Sequence, residues 1–129
     1  MADHNDLGFR GEDLATAHLL SKGFSILERN WKSGHKEIDV IATTRTEIVF
    51  VEVKTRHSED CIAALDAVDR KKRQLLIYAA DAYVRQHQID LPARFDIITI
   101  VGTAPDFHIE HIEDAFIPTL APLRKRRKL

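Results

Sequence analysis

Four charged residues in this chain stand where apolar ones belong. Asp39 interrupts Ile38, Val40 and Ile41 in a run that otherwise reads as a strand buried on both faces. In Ile48-Val49-Phe50-Val51-Glu52-Val53-Lys54 the face carrying Ile48 and Phe50 turns ionic at Glu52 and Lys54. Residues two apart on a strand point the same way, so these two side chains project together. Glu12 is the fourth. On a helical wheel Gly8, Phe9, Ala15, Thr16, Leu19 and Leu20 surround it, with Arg10, Asp13 and Ser21 opposite. An unpaired carboxylate on such a stripe costs several kcal/mol unless it is protonated, paired or bound to a cation.

Each residue taken singly has a plainer explanation. Glu12 could favour the dipole of a nearby helix N-terminus, and a Glu-x-Lys pair is common at the rim of a sheet. Asp39 is harder to dismiss, because aspartate forms strands poorly and has apolar neighbours on both sides. Together they indicate one chemistry. Carboxylate oxygens without sulfur or imidazole suit a hard cation such as Mg²⁺ or Mn²⁺. Such an ion polarises a phosphoryl oxygen and acidifies bound water, while a neighbouring lysine stabilises developing negative charge. Asp39, then Glu52 and Lys54 on the next strand, would equip a site for phosphodiester hydrolysis, with Asp39 and Glu52 as metal ligands.

Local signals define the elements that must carry these residues. Asp6 is placed to cap a helix ending near Lys22, with Gly23 as its stop. Phe24 to Trp31 reads as a strand, and Ser33-Gly34-His35 as the turn after it. Glu37 to Ala42 and Glu47 to Lys54 are two further strands rich in β-branched residues. After a polar connection, Leu75, Leu76, Ala79, Ala80 and Tyr83 recur at helical spacing opposite Arg73, Asp81 and Arg85, with Asp69 as a candidate cap. Arg94 to Val101 is a strand ended by Gly102 and Pro105, and Phe107 to Ile112 a short edge strand. The expected fold class is α/β in the order α-β-β-β-α-β-β, a mixed central sheet flanked by helices.

Composition bounds the setting. The chain has 129 residues, 44% of them hydrophobic and 30% charged, which suits one domain with a true core and excludes a disordered chain. Cys61 is the only cysteine, so neither an intrachain disulfide nor a paired-cysteine zinc site can form. The polar start, Met1-Ala2-Asp3-His4-Asn5-Asp6, is unlike a signal peptide, and no apolar run reaches membrane-spanning length. A cytoplasmic protein without a membrane partner is expected. The net charge of −1 hides an asymmetry. Arg124, Lys125, Arg126, Arg127 and Lys128 supply five of 19 basic residues, leaving residues 1–123 with 14 basic against 20 acidic, a balance of −6. Residues 1–123 are therefore read as the domain, and 124–129 as a flexible basic tail.

A family resemblance runs through these motifs. Gly34-His35-Lys36-Glu37-Ile38-Asp39-Val40-Ile41, followed by Phe50-Val51-Glu52-Val53-Lys54-Thr55-Arg56, resembles the bacterial YraN-like family. That family is mostly uncharacterised and is related to Holliday-junction resolvases and other PD-(D/E)XK, or restriction-endonuclease-like, nucleases. Gly11-Glu12-Asp13 with Ala15 and Leu19, Gly23 with Asn30, Val68 with Lys72, Arg94-Phe95-Asp96-Ile97-Ile98 and Asp114-Ala115-Phe116 extend the likeness over nearly the whole chain. One departure is His35-Lys36, where the family more often has glycine directly before Glu-Ile-Asp. The resemblance implies a restriction-endonuclease-like fold, Asp39 and Glu52 as metal ligands, Lys54 as catalytic lysine and Glu12 as the helix acid that completes the site. It also implies a Mg²⁺- or Mn²⁺-dependent endonuclease acting on DNA, with branched structures among its candidate substrates, and, by analogy with junction resolvases, a homodimer. The alternative is a non-catalytic nucleic-acid-binding or assembly module that keeps the fold.

Other groups carry weaker signals. Arg70, Lys71, Lys72 and Arg73 open the second helix, where cations oppose the dipole. Meeting phosphate would explain that cost, and with the tail they are candidate nucleic-acid contacts. Asp96 is expected to pair with Arg94 on the same strand face, and Asp60, Asp66 and Asp69 read as turn or cap residues. The seven histidines lack zinc spacing, and no nucleophile motif, P-loop or dinucleotide fingerprint is present.

Overall fold

The structure is a computed structural model that describes residues 3–34, 36–56, 70–103 and 106–116. Seven elements follow one another: α1 (Asp3–Ser21), β1 (Ser25–Ser33), β2 (Lys36–Thr43), β3 (Ile48–Arg56), α2 (Arg70–Gln86), β4 (Ala93–Thr103) and β5 (Asp106–Ile112). The strands form one sheet in sequential order, β1-β2-β3-β4-β5. Every neighbouring pair is antiparallel except β3 and β4. A parallel pair cannot be joined by a tight turn, so the chain from 57 to 92, which contains α2, carries it back to the start of β4. This is the mixed α/β order expected from the sequence.

The helices lie on opposite faces. α1 covers a cluster of Ala15, Leu19, Phe24, Val40, Val51, Ile98 and Ile100, and α2 one of Ile41, Phe50, Leu76, Ala80, Tyr83, Phe95 and Ile97. Central β3 is consequently buried on both faces through Val51. The edge strand β1 alternates between exposed and half-buried residues, and its charged Glu28, Arg29 and Lys32 discourage pairing with another sheet.

α1 ends as its glycine predicts. Gly23 adopts φ +92°, its N–H bonds Leu20 O at 3.0 Å, and the Phe24 N–H bonds Leu19 O at 3.0 Å. This pair of bonds satisfies the last helical carbonyls, and Phe24 packs in the same cluster as Leu19. Three expectations need correction. The helix starts at Asp3, so Asp6 lies inside it rather than at its cap. Leu20, assigned to the core stripe, is 55% exposed, because the stripe is narrowed to Ala15 and Leu19. Leu75 is 44% exposed, since α2 turns Leu76, Ile77, Ala79 and Ala80 inward instead. Asp60, Cys61, Asp66, Val68, Asp69, Pro105 and the tail lie outside the described residues.

Candidate active site

β2 and β3 separate where the chemistry is concentrated. Their ladder runs from Thr43↔Ile48 to Val40↔Val51 and has no further pair. β3 continues on its other side against β4 as far as Arg56↔Val101. Past Val51 the inner strand therefore needs an acceptor that β2 no longer supplies from its backbone. Asp39 supplies it from its side chain: the Val53 N–H donates to Asp39 Oδ2 at 2.8 Å. The aspartate that is a poor strand former sits at the point where the ladder opens. Beside it, Glu52 is 6% exposed.

Asp39 and Glu52 line one cleft of about 210 Å³ together with Glu37, Lys72, Leu75 and Leu76. Burial and then the Glu52 charge push the Asp39 carboxyl up to about 7, against the Val53 N–H, which favours the ionised form; Glu12 and Glu37 add to the rise. Glu52 has two lysine partners. Lys54 Nζ lies 3.1 Å from its Oε2 and Lys72 Nζ 2.9 Å from the same atom. Burial, and then the neighbouring Lys72, hold the Lys54 ammonium below the usual lysine range against the pull of Glu52. Burial works against the charge on Lys72 as well, but its pairing with Lys54 at the Glu52 carboxylate, its bond to Glu52 and the negative charges of Glu52 and Asp39 outweigh it, so its pKa is raised.

Glu12 stands beside this cleft rather than in its lining. It comes from α1, its charge reaches Asp39, and its Oε1 is 3.9 Å from Arg29 NH2. The close approach of α1 depends on Gly11, where a Cβ would overlap Thr55 Cγ2 at the end of β3. The basic start of α2 does not form one patch. Lys72 turns into the cleft, the Arg73 guanidinium lies 5.3 Å from the centre of the Phe116 ring, and Lys71 is exposed. Arg70 begins the helix, while Arg124, Lys125, Arg126, Arg127 and Lys128 lie outside the described residues.

Two cleft residues, Glu37 and Lys72, had signals that sequence reading did not use. Glu37 is two residues before Asp39 on the same strand, and Lys72 is one turn before the buried Leu76. Thr99 is a third addition. It pairs with Lys54 across β3 and β4, and its Oγ1 is buried without a hydrogen-bond partner among the described residues.

Asp96 belongs to a separate, closed network, as its expected pairing with Arg94 requires. Arg94 binds it through Nε at 2.9 Å and NH2 at 2.8 Å, His111 Nε2 lies 2.7 Å from its Oδ2, and the Asp114 N–H donates to Oδ1 at 3.0 Å. Burial raises the Asp96 carboxyl, but the bonds from His111, Arg94 and Asp114 outweigh it and hold it below the ordinary aspartate range. His111 also faces His18 at 3.2 Å. These contacts join α1, β4, β5 and the turn after β5, which makes the network a clamp on the sheet edge.

The cleft's donor chemistry fits a hard divalent cation. Its ligating groups are carboxylates, with no thiol or imidazole in the lining among the described residues. Mg²⁺ is commonly held by one or two carboxylates and fills its sphere with water and substrate phosphate, a donor set that Asp39 and Glu52 can begin. Among the described residues no group of three or more His, Cys, Asp or Glu side chains is gathered as a complete metal cage. Among the described residues no helix is long and apolar enough to cross a membrane.

Comparison with known proteins agrees in family across most of the chain. The family described as "Uncharacterised protein family UPF0102" matches residues 11–100. A UPF0102 protein of Phocaeicola vulgatus is 49% identical over 120 residues, covering 93% of this chain and 99% of the relative. One from Flavobacterium psychrophilum is 50% identical over 116 residues, covering 90% and 98%. Among solved structures, a protein of unknown function from Silicibacter pomeroyi aligns at a TM-score of 0.32 and 18% identity, over 84% of this chain and 70% of that one. The 49% identity over almost the full length and the match to residues 11–100 place the chain in the UPF0102, or YraN-like, family of uncharacterised bacterial proteins.

Proposed function

We infer that this protein is a divalent-metal-dependent nuclease of PD-(D/E)XK type that hydrolyses phosphodiester bonds in DNA. The observation that carries this reading is the pair Asp39 and Glu52 in one cleft, with the Lys54 ammonium 3.1 Å from Glu52. Asp39 and Glu52 would hold Mg²⁺ or Mn²⁺. Bound there, the ion supplies Lewis acidity towards the phosphoryl oxygen and acidifies a bound water. Lys54, anchored on the same strand as Glu52, stabilises negative charge as the phosphorane-like transition state forms. Glu12 adds negative potential from the α1 side, which strengthens the cleft's preference for a cation. Asp39, with its carboxyl pushed up to about 7, accepts the cation in place of a proton near neutral pH.

One observation favours the second reading, a non-catalytic nucleic-acid-binding or assembly module. Glu52 is already neutralised by two lysines, an arrangement that is stable without any metal. A cleavage assay separates the two. Labelled branched, flapped, single-stranded and duplex DNA, and matching RNA, are incubated with the protein and Mg²⁺, Mn²⁺ or chelator. The nuclease reading expects metal-dependent products, lost in D39N and E52Q and reduced about 10²- to 10³-fold in K54M. Binding without cleavage on every substrate, in both metals, favours the module. Light scattering of the free and DNA-bound protein tests the homodimer.

A further inference from the structure

Glu52 has more positive charge against it than one carboxylate needs. Lys54 and Lys72 reach the same oxygen, Oε2, at 3.1 and 2.9 Å. Two ammonium groups on one acceptor repel each other, and the arrangement holds only while the carboxylate between them is ionised and no further cation is near. The two lysines are anchored differently. Lys54 projects from β3 itself, two residues from Glu52, and its side chain is 14% exposed; that of Lys72, in the first turn of α2, is 43% exposed. A cation there opposes the helix dipole, and among the described residues the first turn has no acidic side chain to offset it. Lys72 also lines the cleft beside Glu37, Asp39 and Leu75. Its flexible four-carbon stem allows the ammonium to move without moving the helix.

We propose that Lys72 is an exchangeable cation: it neutralises Glu52 in the metal-free protein, and on binding of a divalent ion it transfers to a phosphate of the incoming nucleic-acid strand. The exchange deepens, and depends on, the assignment of Asp39 and Glu52 as cation ligands. A divalent ion between them adds two charges beside an oxygen already shared by two ammonium groups. One ammonium must then withdraw, and the exposed one leaves more readily than the buried one. A strand whose phosphate approaches Asp39 and Glu52 enters through the cleft that Lys72 lines. The released ammonium therefore meets a phosphate at the moment the site is loaded, and grip on the strand becomes conditional on the metal. Lys54 remains with Glu52 in both states.

The test uses Mn²⁺ alone, titrated calorimetrically into the full-length wild type, K72M and K72R. Removing the competing ammonium should tighten Mn²⁺ binding about three- to tenfold in K72M, at the lower end of the coupling between neighbouring groups. K72R keeps the charge and should return the affinity to the wild-type value. In wild-type protein, the hydrogen-bonded lysine ammonium signal that K72M or K72R lacks, read by ¹H–¹⁵N NMR, should disappear on saturation with Mg²⁺; this measurement decides the matter even if K72M does not fold. With metal present, K72M should flatten the salt dependence of DNA binding by about 0.9 in log–log slope, the equivalent of one phosphate. Unchanged or weaker Mn²⁺ affinity in cooperatively melting K72M, or an ammonium signal that survives Mg²⁺, overturns the exchange and leaves the Asp39–Glu52 site standing. No Mn²⁺ binding by wild type and K72M alike removes both.

Discussion

Replacing Asp39 with asparagine should make the metal-free protein more stable at pH 8, although it deletes a residue at the centre of the candidate site. The Asp39 carboxyl rises from 3.8 to about 7, chiefly through burial and then the Glu52 charge. Each tenfold change in proton affinity is worth about 1.4 kcal/mol, so holding Asp39 ionised at pH 8 costs up to about 4 kcal/mol. Water in the open cleft reduces this to on the order of 3 kcal/mol. The sign follows from proton linkage. Between pH 3.8 and about 7 the folded protein keeps a proton on Asp39 that the unfolded chain has lost. Wild-type stability is therefore greatest below that window and falls as pH rises through it. The asparagine side chain carries no charge, yet its Oδ1 can still accept the Val53 N–H. Chelator-treated D39N should thus melt on the order of 10 °C above wild type at pH 8, and the gap should close towards pH 4. Added Mg²⁺ should raise the wild-type melting temperature with concentration and leave D39N nearly unmoved. The assay is a pair of thermal melts across pH 4–8.5, with chelator and with excess Mg²⁺. If D39N is the less stable protein at pH 8 without metal, or if both proteins show the same pH dependence, Asp39 is a structural residue and the electrostatic reasoning fails.

Three further outcomes are expected. Removing Arg124 to Lys128 should lower the log–log salt slope of DNA binding by up to about 0.9 for each phosphate the tail neutralises, measured by anisotropy; an unchanged slope excludes the tail from binding. G11A should destabilise the fold by about 1–3 kcal/mol in urea unfolding, because the new methyl overlaps Thr55 Cγ2, and T55S should restore part of it; additive effects would show that the two residues do not meet. D96N leaves Arg94 and His111 around a neutral amide and should cost about 3–5 kcal/mol while metal-dependent cleavage, assayed below its melting temperature, survives. Because the Asp96 carboxyl is held below its ordinary range, the stability it confers is present above pH 3.8 and lost as pH falls further, so acid unfolding should begin at higher pH in a variant lacking the charge.

Element order was readable because each element carries its own local signal. The β-branched runs gave β2, β3 and β4, and Gly23 marked the end of α1 through a left-handed turn that other residues adopt at a cost. Asp39 and Glu52 were conspicuous for a thermodynamic reason: charge inside an apolar strand needs a partner, and the pattern shows the need without showing the partner. What periodicity could not give is which residues of different elements meet. Lys72 read as one of four surface cations because its partner, Glu52, is twenty positions away and on another element. His111 offered no local hint that Asp96 would hold one nitrogen and His18 face the other. Glu12 was placed on the correct helix face, but only the sheet's geometry sets it beside the cleft instead of within it. Leu75 failed for a simpler reason, since a helix edge at the mouth of a cleft tolerates an apolar residue that neither packs nor disrupts.

The bond from the Val53 amide to Asp39 makes one mid-strand proton a gauge of the site. Most amides of a sheet report on the neighbouring strand; this one reports on a carboxylate whose charge changes with pH and cation. Its chemical shift and exchange rate should take distinct values for protonated, ionised and metal-bound Asp39, with no probe attached and no substrate added. The same bond ties inheritance of the fold to inheritance of the chemistry. An alanine at position 39 would remove a ligand and also leave a strand amide without its acceptor, so inactive descendants that stay folded should carry asparagine there more often than any apolar residue.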